Sequence, residues 1–405
     1  ALGDLDGDGD LDAFAPLPSD RPLLNDGTGV FTLGTAPSSS APGLSTALAL
    51  GDIDGDGDLD AVSAKDAGCT FVSCLGAQNR LYLNNGAGVF TDASSQIPEF
   101  DDWTDAVALA DVDGDGDLDA LLGTEGREGL PNRLLLNDGT GTFADASGED
   151  PSSPPSDRAV AVGLGDLDGD GDLDAFVSQF SNDYASPYPP GNGVYLNDGT
   201  GRLLEAPVQP DGYFAGMRVA VGDLDGDGDL DAVKVNGFDP ASLGFPLRYL
   251  NDGAGGFALA ANPPPLGVFM DVALGDLDGD GDLDALFGMG VNPGASNNTV
   301  RAYLNNGLGL FTWVPAATPS GPSLTARAVA LGDLDGDGDL DAYLGTGGDC
   351  TSSACAGQQD RLLLNNGAGL FTFALPIPLS PLDPTLSAAL GDLDGDGDLD
   401  VLVGN

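Results

Sequence analysis

Four short apolar runs recur in the same order along the chain, and each is too brief for a helix. The first alternates, as in "DAVALAD" from Asp105, "MRVAVGD" from Met217 and "RAVALGD" from Arg327. Apolar side chains at every second position put one face against a core, the signature of a half-buried strand. An acidic stretch follows, and after it a second run such as "LDALLG" from Leu118. A connector rich in Gly, Pro and Ser leads to a third run, "RLYLNN" from Arg80 or "RLLLND" from Arg133. Asn-Asp-Gly or Asn-Asn-Gly then reverses the chain into a fourth, "GVFT" from Gly88 or "GTFAD" from Gly141. Four strands per unit of this length predict one propeller blade per unit.

The acidic stretches begin at Asp4, Asp52, Asp111, Asp166, Asp223, Asp276, Asp333 and Asp392, at spacings of 48, 59, 55, 57, 53, 57 and 59 residues. Such variation fits one structural unit with loop insertions better than a low-complexity expansion. The expected organisation is a single array with units near 1–45, 46–103, 104–157, 158–215, 216–268, 269–325 and 326–385, and a half unit at 386–405. Against eight acidic stretches stand seven hairpin turns, starting at Asn25, Asn84, Asn137, Asn197, Asn251, Asn305 and Asn365. That mismatch leaves three arrangements: an eight-bladed ring with a short blade, a seven-bladed ring with an overhang, or an open array. In the last, end units pair head to tail into a filament.

Each acidic stretch reads D-x-D-G-D-G-D-L-D. The eight copies are Asp4, Asp6, Asp8, Asp10, Asp12; Asp52, Asp54, Asp56, Asp58, Asp60; Asp111, Asp113, Asp115, Asp117, Asp119; and Asp166, Asp168, Asp170, Asp172, Asp174. The remaining four are Asp223, Asp225, Asp227, Asp229, Asp231; Asp276, Asp278, Asp280, Asp282, Asp284; Asp333, Asp335, Asp337, Asp339, Asp341; and Asp392, Asp394, Asp396, Asp398, Asp400. Carboxylates at positions 1, 3 and 5 of a tight loop converge when Gly at position 6 permits the turn, and position 7 offers its carbonyl. Those are the first ligands of an EF-hand loop, with Asp at position 9 standing in for its distal acid. Hard oxygen donors in this number, without His or thiolate, select Ca²⁺ over Mg²⁺. A metal-free Asp-Gly hairpin is the alternative, but converging carboxylates repel one another unless a cation neutralises them. The expectation is about eight Ca²⁺ per chain. The apolar residues at positions 2 and 8 anchor the loop ends.

The charge sharpens this reading. Five aspartates in each of eight loops account for 40 of the 65 acids, so 25 acids against 13 Lys and Arg leave only −12 of the −52 elsewhere. Glu occurs only at positions 99, 125, 128, 149 and 205. The acid serves local chemistry rather than general solvation, and its sign makes nucleic acid a poor partner. No run is long and apolar enough to insert into a membrane. The chain has no initiator Met and opens inside a repeat, as a processed or excerpted product would. The cysteines form two matched local pairs, Cys69 with Cys74 ("CTFVSC") and Cys350 with Cys355 ("CTSSAC"). They read as two disulfides in an oxidising compartment, hence a secreted or cell-surface protein. A zinc site drawing on all four thiols is the alternative. Connectors such as "SGEDPSSPPSDR", "YASPYPPGNG" and "NPPPLG" read as stiff surface loops, and Asn297 lies in a glycosylation sequon.

"AVALGDLDGDGDLDA" followed by an Arg-Leu-x-Leu-Asn-x-Gly hairpin resembles the FG-GAP/VCBS repeat of integrin α-subunit propellers and many secreted bacterial proteins, and the resemblance covers essentially the whole chain. It implies a β-propeller, commonly seven-bladed, with Ca²⁺ in loops joining two strands of a blade. The chain departs from the literal Phe-Gly…Gly-Ala-Pro signature, and its fourth hairpin has Leu203 and Leu204 where others have Phe.

Three function classes follow. A non-enzymatic extracellular scaffold for adhesion or filament assembly, binding other extracellular proteins or copies of itself, uses every strong feature. A lectin-like module binding glycans is the alternative, with Tyr184, Tyr188, Tyr195 and Trp313 as stacking candidates. An enzyme is disfavoured: no His is present for a triad or a His-ligated metal, and nearly all the aspartates are assigned to calcium, so no catalytic residue is nominated.

Overall fold

The computed structural model describes the chain outside residues 17–18, 38–43, 70–73, 101, 125–131, 148–157, 181–191, 208–209, 211–215, 237–245, 261–266, 291–298, 316–323, 348–357, 375–383 and 405. It forms two compact units, residues 1–213 with 393–396 and residues 214–392 with 397–405. Both are built from the same antiparallel sheet. In residues 104–145 the strands Thr104–Ala110, Asp119–Thr124, Arg133–Asn137 and Phe143–Asp145 pair in chain order. The first strand is half-buried at every residue from Asp105 to Ala110, so the alternation of its sequence is not matched by an alternation of exposure. The second, with Leu121 opposite both Ala108 and Leu134, is buried along its whole length. A strand covered on both faces reads as a continuous apolar run, and "ALLG" is one.

Among the described residues six sheets have this four-stranded form, spanning residues 2–33, 104–145, 158–205, 216–259, 269–313 and 325–373. A seventh, residues 44–92, adds the short strand Cys74–Gly76 beside Asp60–Cys69. The eighth has two strands, Ser387–Gly391 and Asp400–Gly404. Among the described residues helical structure is limited to the 3-10 turn Ser94–Gln96 and the single residue Pro315. The fold is all-β, a β-propeller of blade repeats: seven complete sheets and a half one.

Neighbouring sheets within each unit interlock at two places. The glycine closing a first strand receives the position-8 leucine of the next acidic loop. A methyl group at Gly51 would lie 2.5 Å from Leu118 Cδ1, and one at Gly275 would lie 2.7 Å from Leu340 Cδ1. The hairpin phenylalanine, for its part, packs against the position-2 residue of the preceding loop. Phe90 shares a core with Leu5, Phe143 with Ile53, Phe311 with Leu224 and Phe371 with Leu277. In the fourth hairpin Leu203 takes this role, packing against the cluster of Val112. That departure from the repeat is therefore a conservative one.

Several of the expectations fall on residues outside those described: Cys350 and Cys355, Tyr184 and Tyr188, Asn297, and the Pro-rich connectors. The backbone register sets Cys69 opposite Cys74, though their side chains lie outside the described set. Tyr195 packs against the core of Val112 and Ala175. Trp313 packs against that of Phe269 and Phe287, with the Arg301 guanidinium 5.1 Å from its ring centre.

Candidate metal centre

Every acidic loop joins the first strand of its sheet to the second, and its path is set by backbone groups bonding to carboxylates. The position-1 aspartate is the organiser. Asp4 accepts from Gly7 N–H at 2.8 Å and from Gly9 N–H at 3.1 Å. The second of these bonds recurs in all eight loops, at 3.0–3.1 Å. The bends require φ of 77° at Gly7 and 96° at Gly9, a left-handed region open to glycine at little cost. Glycine at positions 4 and 6 is therefore a backbone requirement. At position 5, Asp8 accepts from Asp10 N–H at 3.0 Å, tightening the same turn.

This wrapping brings acidic oxygens together. Asp4, Asp6 and Asp8 can each place one oxygen within 4.8 Å of the others, and so can Asp111, Asp113 and Asp115, Asp166, Asp168 and Asp170, and Asp223, Asp225 and Asp227. In the second loop the converging set is Asp52, Asp54 and Asp60, which brings in position 9. Buried Oδ1 atoms of Asp6, Asp54, Asp225 and Asp278, all at position 3, have no hydrogen-bond partner, and neither has Asp52 Oδ1. Burial and then the neighbouring carboxylates raise the pKa of Asp6, Asp54 and Asp225. Orphaned anionic oxygens beside like charges are what a bound cation would relieve, and an all-oxygen donor set suits a hard divalent ion.

Position 9 has a second task. Asp119 is fully buried, with Oδ2 accepting from Val112 N–H at 2.9 Å and Oδ1 from Asn137 N–H at 2.8 Å. The hairpin bond recurs in all seven complete sheets at 2.6–2.8 Å. Burial drives these acids up, to about 6 for Asp60, Asp174, Asp231 and Asp284. Position 7 faces the other way. The carboxylates of Asp10, Asp58 and Asp117 lie against Gly27, Gly86 and Gly139, the first glycine of each hairpin, where any Cβ would collide with them. Its side chain thus belongs to the hairpin, leaving only its carbonyl for a metal.

The hairpin asparagine completes the arrangement, and the sequence pattern alone had marked it only as a turn residue. Asn137 Nδ2 donates to Leu118 O of its own loop at 3.1 Å and to Ile53 O of the preceding loop at 2.7 Å. Asn84 does the same with Leu59 O and Leu5 O, and Asn365 with Leu340 O and Leu277 O. In the first hairpin Asn25 reaches Leu11 O and, at 2.6 Å, Leu393 O of the eighth loop. One signal was available: Asn leads all seven N-[N/D]-G turns, although turn geometry makes its demand on the residues that follow it.

No helix among the described residues is long and apolar enough to cross a membrane. No curated protein matches the chain. Among solved structures it is similar to BBS1N, crystallised in complex with ARL6DN and soaked with lead. The two share 11% identity and a TM-score of 0.50 over 94% of this chain and 92% of that one, a likeness of fold alone. The FG-GAP-like repeat matches residues 4–63, 71–122, 121–177, 181–233, 292–344 and 351–403. Residues 234–291 fall outside these matches, yet Asp276 and Asp284 bond in the pattern of the other loops. With six matched stretches spanning most of its length, the chain belongs to the FG-GAP-like repeat family.

Proposed function

We propose that this chain is a non-enzymatic, extracellular β-propeller scaffold whose acidic loops bind Ca²⁺. The observation that carries the reading is the set of buried, partnerless position-3 oxygens held beside other carboxylates in loops of one fixed geometry. In each loop the ion would be held by the side chains at positions 1, 3, 5 and 9 and the carbonyl at position 7. Bound calcium supplies positive charge at the turn between first and second strands. Eight ions would add +16, taking −52 to −36. Position 9 links that charge to the hairpin, so metal binding stiffens the whole sheet edge.

The extracellular assignment draws on the family, whose repeats occur in extracellular and cell-surface proteins, and on the paired cysteines. The scaffold reading draws on the absence of His from the sequence and on acids already committed to the loops. Its partners are other extracellular proteins, met through the connectors between strands.

The test is calorimetric titration of decalcified protein with Ca²⁺, and separately with Mg²⁺. About eight Ca²⁺ per chain, with Mg²⁺ much weaker, is the expected result. No saturable uptake of Ca²⁺ would overturn the calcium reading.

A further inference from the structure

We infer that Lys65 and Asp20 condense into an intramolecular amide cross-link, tying the sheet of residues 2–33 to the sheet of residues 44–92. Neither residue belongs to an acidic loop, so the link is independent of calcium.

The sequence contains two lysines, Lys65 and Lys234, and both are buried, although lysine is almost never buried unless it is paired. Lys65 stands in the second strand of its sheet, where the corresponding residues of other sheets are Thr124, Gln179, Asn236, Met289 and Thr346. The repeat itself therefore asks for no amine at this place. What the amine meets is Asp20, the residue just before strand Arg21–Leu24 of the preceding sheet. Lys65 Nζ lies 2.5 Å from Asp20 Oδ2, and the two side chains are 9% and 0% exposed.

Two hydroxyl groups complete the cluster. Ser45 Oγ accepts from Lys65 Nζ at 2.6 Å and donates to Asp20 Oδ1 at 2.5 Å. Tyr82, itself buried, donates its hydroxyl to Asp20 Oδ2 at 3.0 Å. These four side chains hold the parts of an acyl transfer. One proton passed from the Lys65 ammonium through Ser45 Oγ to Asp20 Oδ1 leaves a neutral amine beside a carboxylic acid. The Nζ lone pair attacks Cγ, and Oδ2, the oxygen that gathers negative charge, keeps the Tyr82 hydroxyl as its donor. A second proton from the nitrogen follows the same path, the Cγ–Oδ1 bond breaks, and Oδ1 departs as water. Ammonium and carboxylate thus become one secondary amide and one water, with no oxidant, reductant or cofactor. Holding the two groups in contact supplies the rate, in place of an activated leaving group. Burial supplies the driving force, because two charges that are costly to keep out of water disappear. The link closes the chain from residue 20 to residue 65, so unfolding can no longer part the two sheets fully.

The test is the mass of the full chain, denatured and reduced. A mass one water below that of the sequence is expected. Asp-Gly steps also lose water, as succinimides, so tryptic mapping locates the loss. Trypsin spares Arg21 before Pro22; a free Lys65 amine therefore yields residues 1–65, whereas the linked chain yields residues 1–80 short of one water. Lys65→Arg keeps the positive charge without a nucleophilic amine and should show its full sequence mass. Ser45→Ala and Tyr82→Phe should accumulate the linked form at least about tenfold more slowly after synthesis. A folded wild-type chain at full sequence mass overturns the proposal, and so does a loss of water that survives Lys65→Arg. Wild-type rates in both hydroxyl variants would overturn the relay and the oxyanion donor.

Discussion

Asp119 and Asp400 stand at the same place in the same nine-residue phrase, yet one is completely buried and the other half-exposed. Around Asp119 the hairpin of residues 133–145 is in place, and Asn137 N–H lies 2.8 Å from its carboxylate. Beside Asp400 the sheet has two strands among the described residues. The loop backbone itself hardly differs: Gly116 N–H meets Asp111 and Gly397 N–H meets Asp392, both at 3.0 Å. The nine-residue phrase therefore folds its own turn but does not bury its own last ligand. That burial comes from the hairpin. Seven loops share that environment and the eighth does not.

The largest effect should come from removing the metal. If calcium binds only the folded state, each site contributes about 2.7 kcal/mol at a hundredfold excess over Kd. Eight such contributions exceed the net stability of an ordinary domain, about 5–15 kcal/mol. Melting in excess EGTA should drop steeply or lose cooperativity altogether, and an unchanged curve would remove calcium from the account of stability. Titrating calcium back should show seven similar sites and an eighth weaker one at Asp392–Asp400; eight indistinguishable sites would mean that the hairpin does not tune affinity.

Next comes the aspartate pair itself. In chelator, Asp119→Ala strands the buried N–H groups of Val112 and Asn137, a cost of about 2–4 kcal/mol. Asp400→Ala at the exposed counterpart should cost less than about 1 kcal/mol. Urea unfolding of both variants decides the point, and equal losses would make the burial difference irrelevant to stability.

Much of this was legible in the residues. The alternation in "DAVALAD", the acidic spacing and the N-[N/D]-G turns lead to four strands in chain order, because each is local: period, turn and loop lie within a few residues of one another. The half unit was also readable, from eight loops against seven hairpins. The couplings between units were not. Gly51 reads as a turn residue until Leu118 of the next loop is seen lying over it, and Asn137 reads as turn chemistry until Ile53 O appears beside its amide. These contacts join residues more than fifty positions apart, and no local period encodes them. The position-7 side chain is equally out of reach of any local period: only the folded hairpin shows that the Asp117 carboxylate lies against Gly139.

Those couplings give a smaller and sharper test. Asn137→Ala keeps the backbone bond to Asp119 but deletes the two side-chain bonds, to Leu118 O and to Ile53 O. The expected loss is about 1–3 kcal/mol, measured by urea unfolding. Asn137→Asp, which replaces the donating amide with a carboxylate facing the same carbonyls, should be at least as damaging. Wild-type stability in both variants would reduce the asparagine to a turn former.

The smallest effect is one of pH, and its sign separates the metal-free from the metal-bound protein. Burial raises Asp60, Asp174, Asp231 and Asp284 from the usual 3.8 to about 6. A carboxyl group whose pKa is higher folded than unfolded binds its proton more tightly in the folded state. Its stabilising contribution is complete below the unfolded value and is lost as pH rises through the folded one. In chelator the protein should therefore melt higher near pH 5 than near pH 7, the stabilisation falling between about 3.8 and about 6 and being nearly gone above that. With Ca²⁺ the same protons compete with the ion for position 9, and acidification should lower the melting point instead. Asp60→Asn should flatten both curves. Parallel pH trends with and without calcium would show that the buried position-9 acids are not shared between proton and metal.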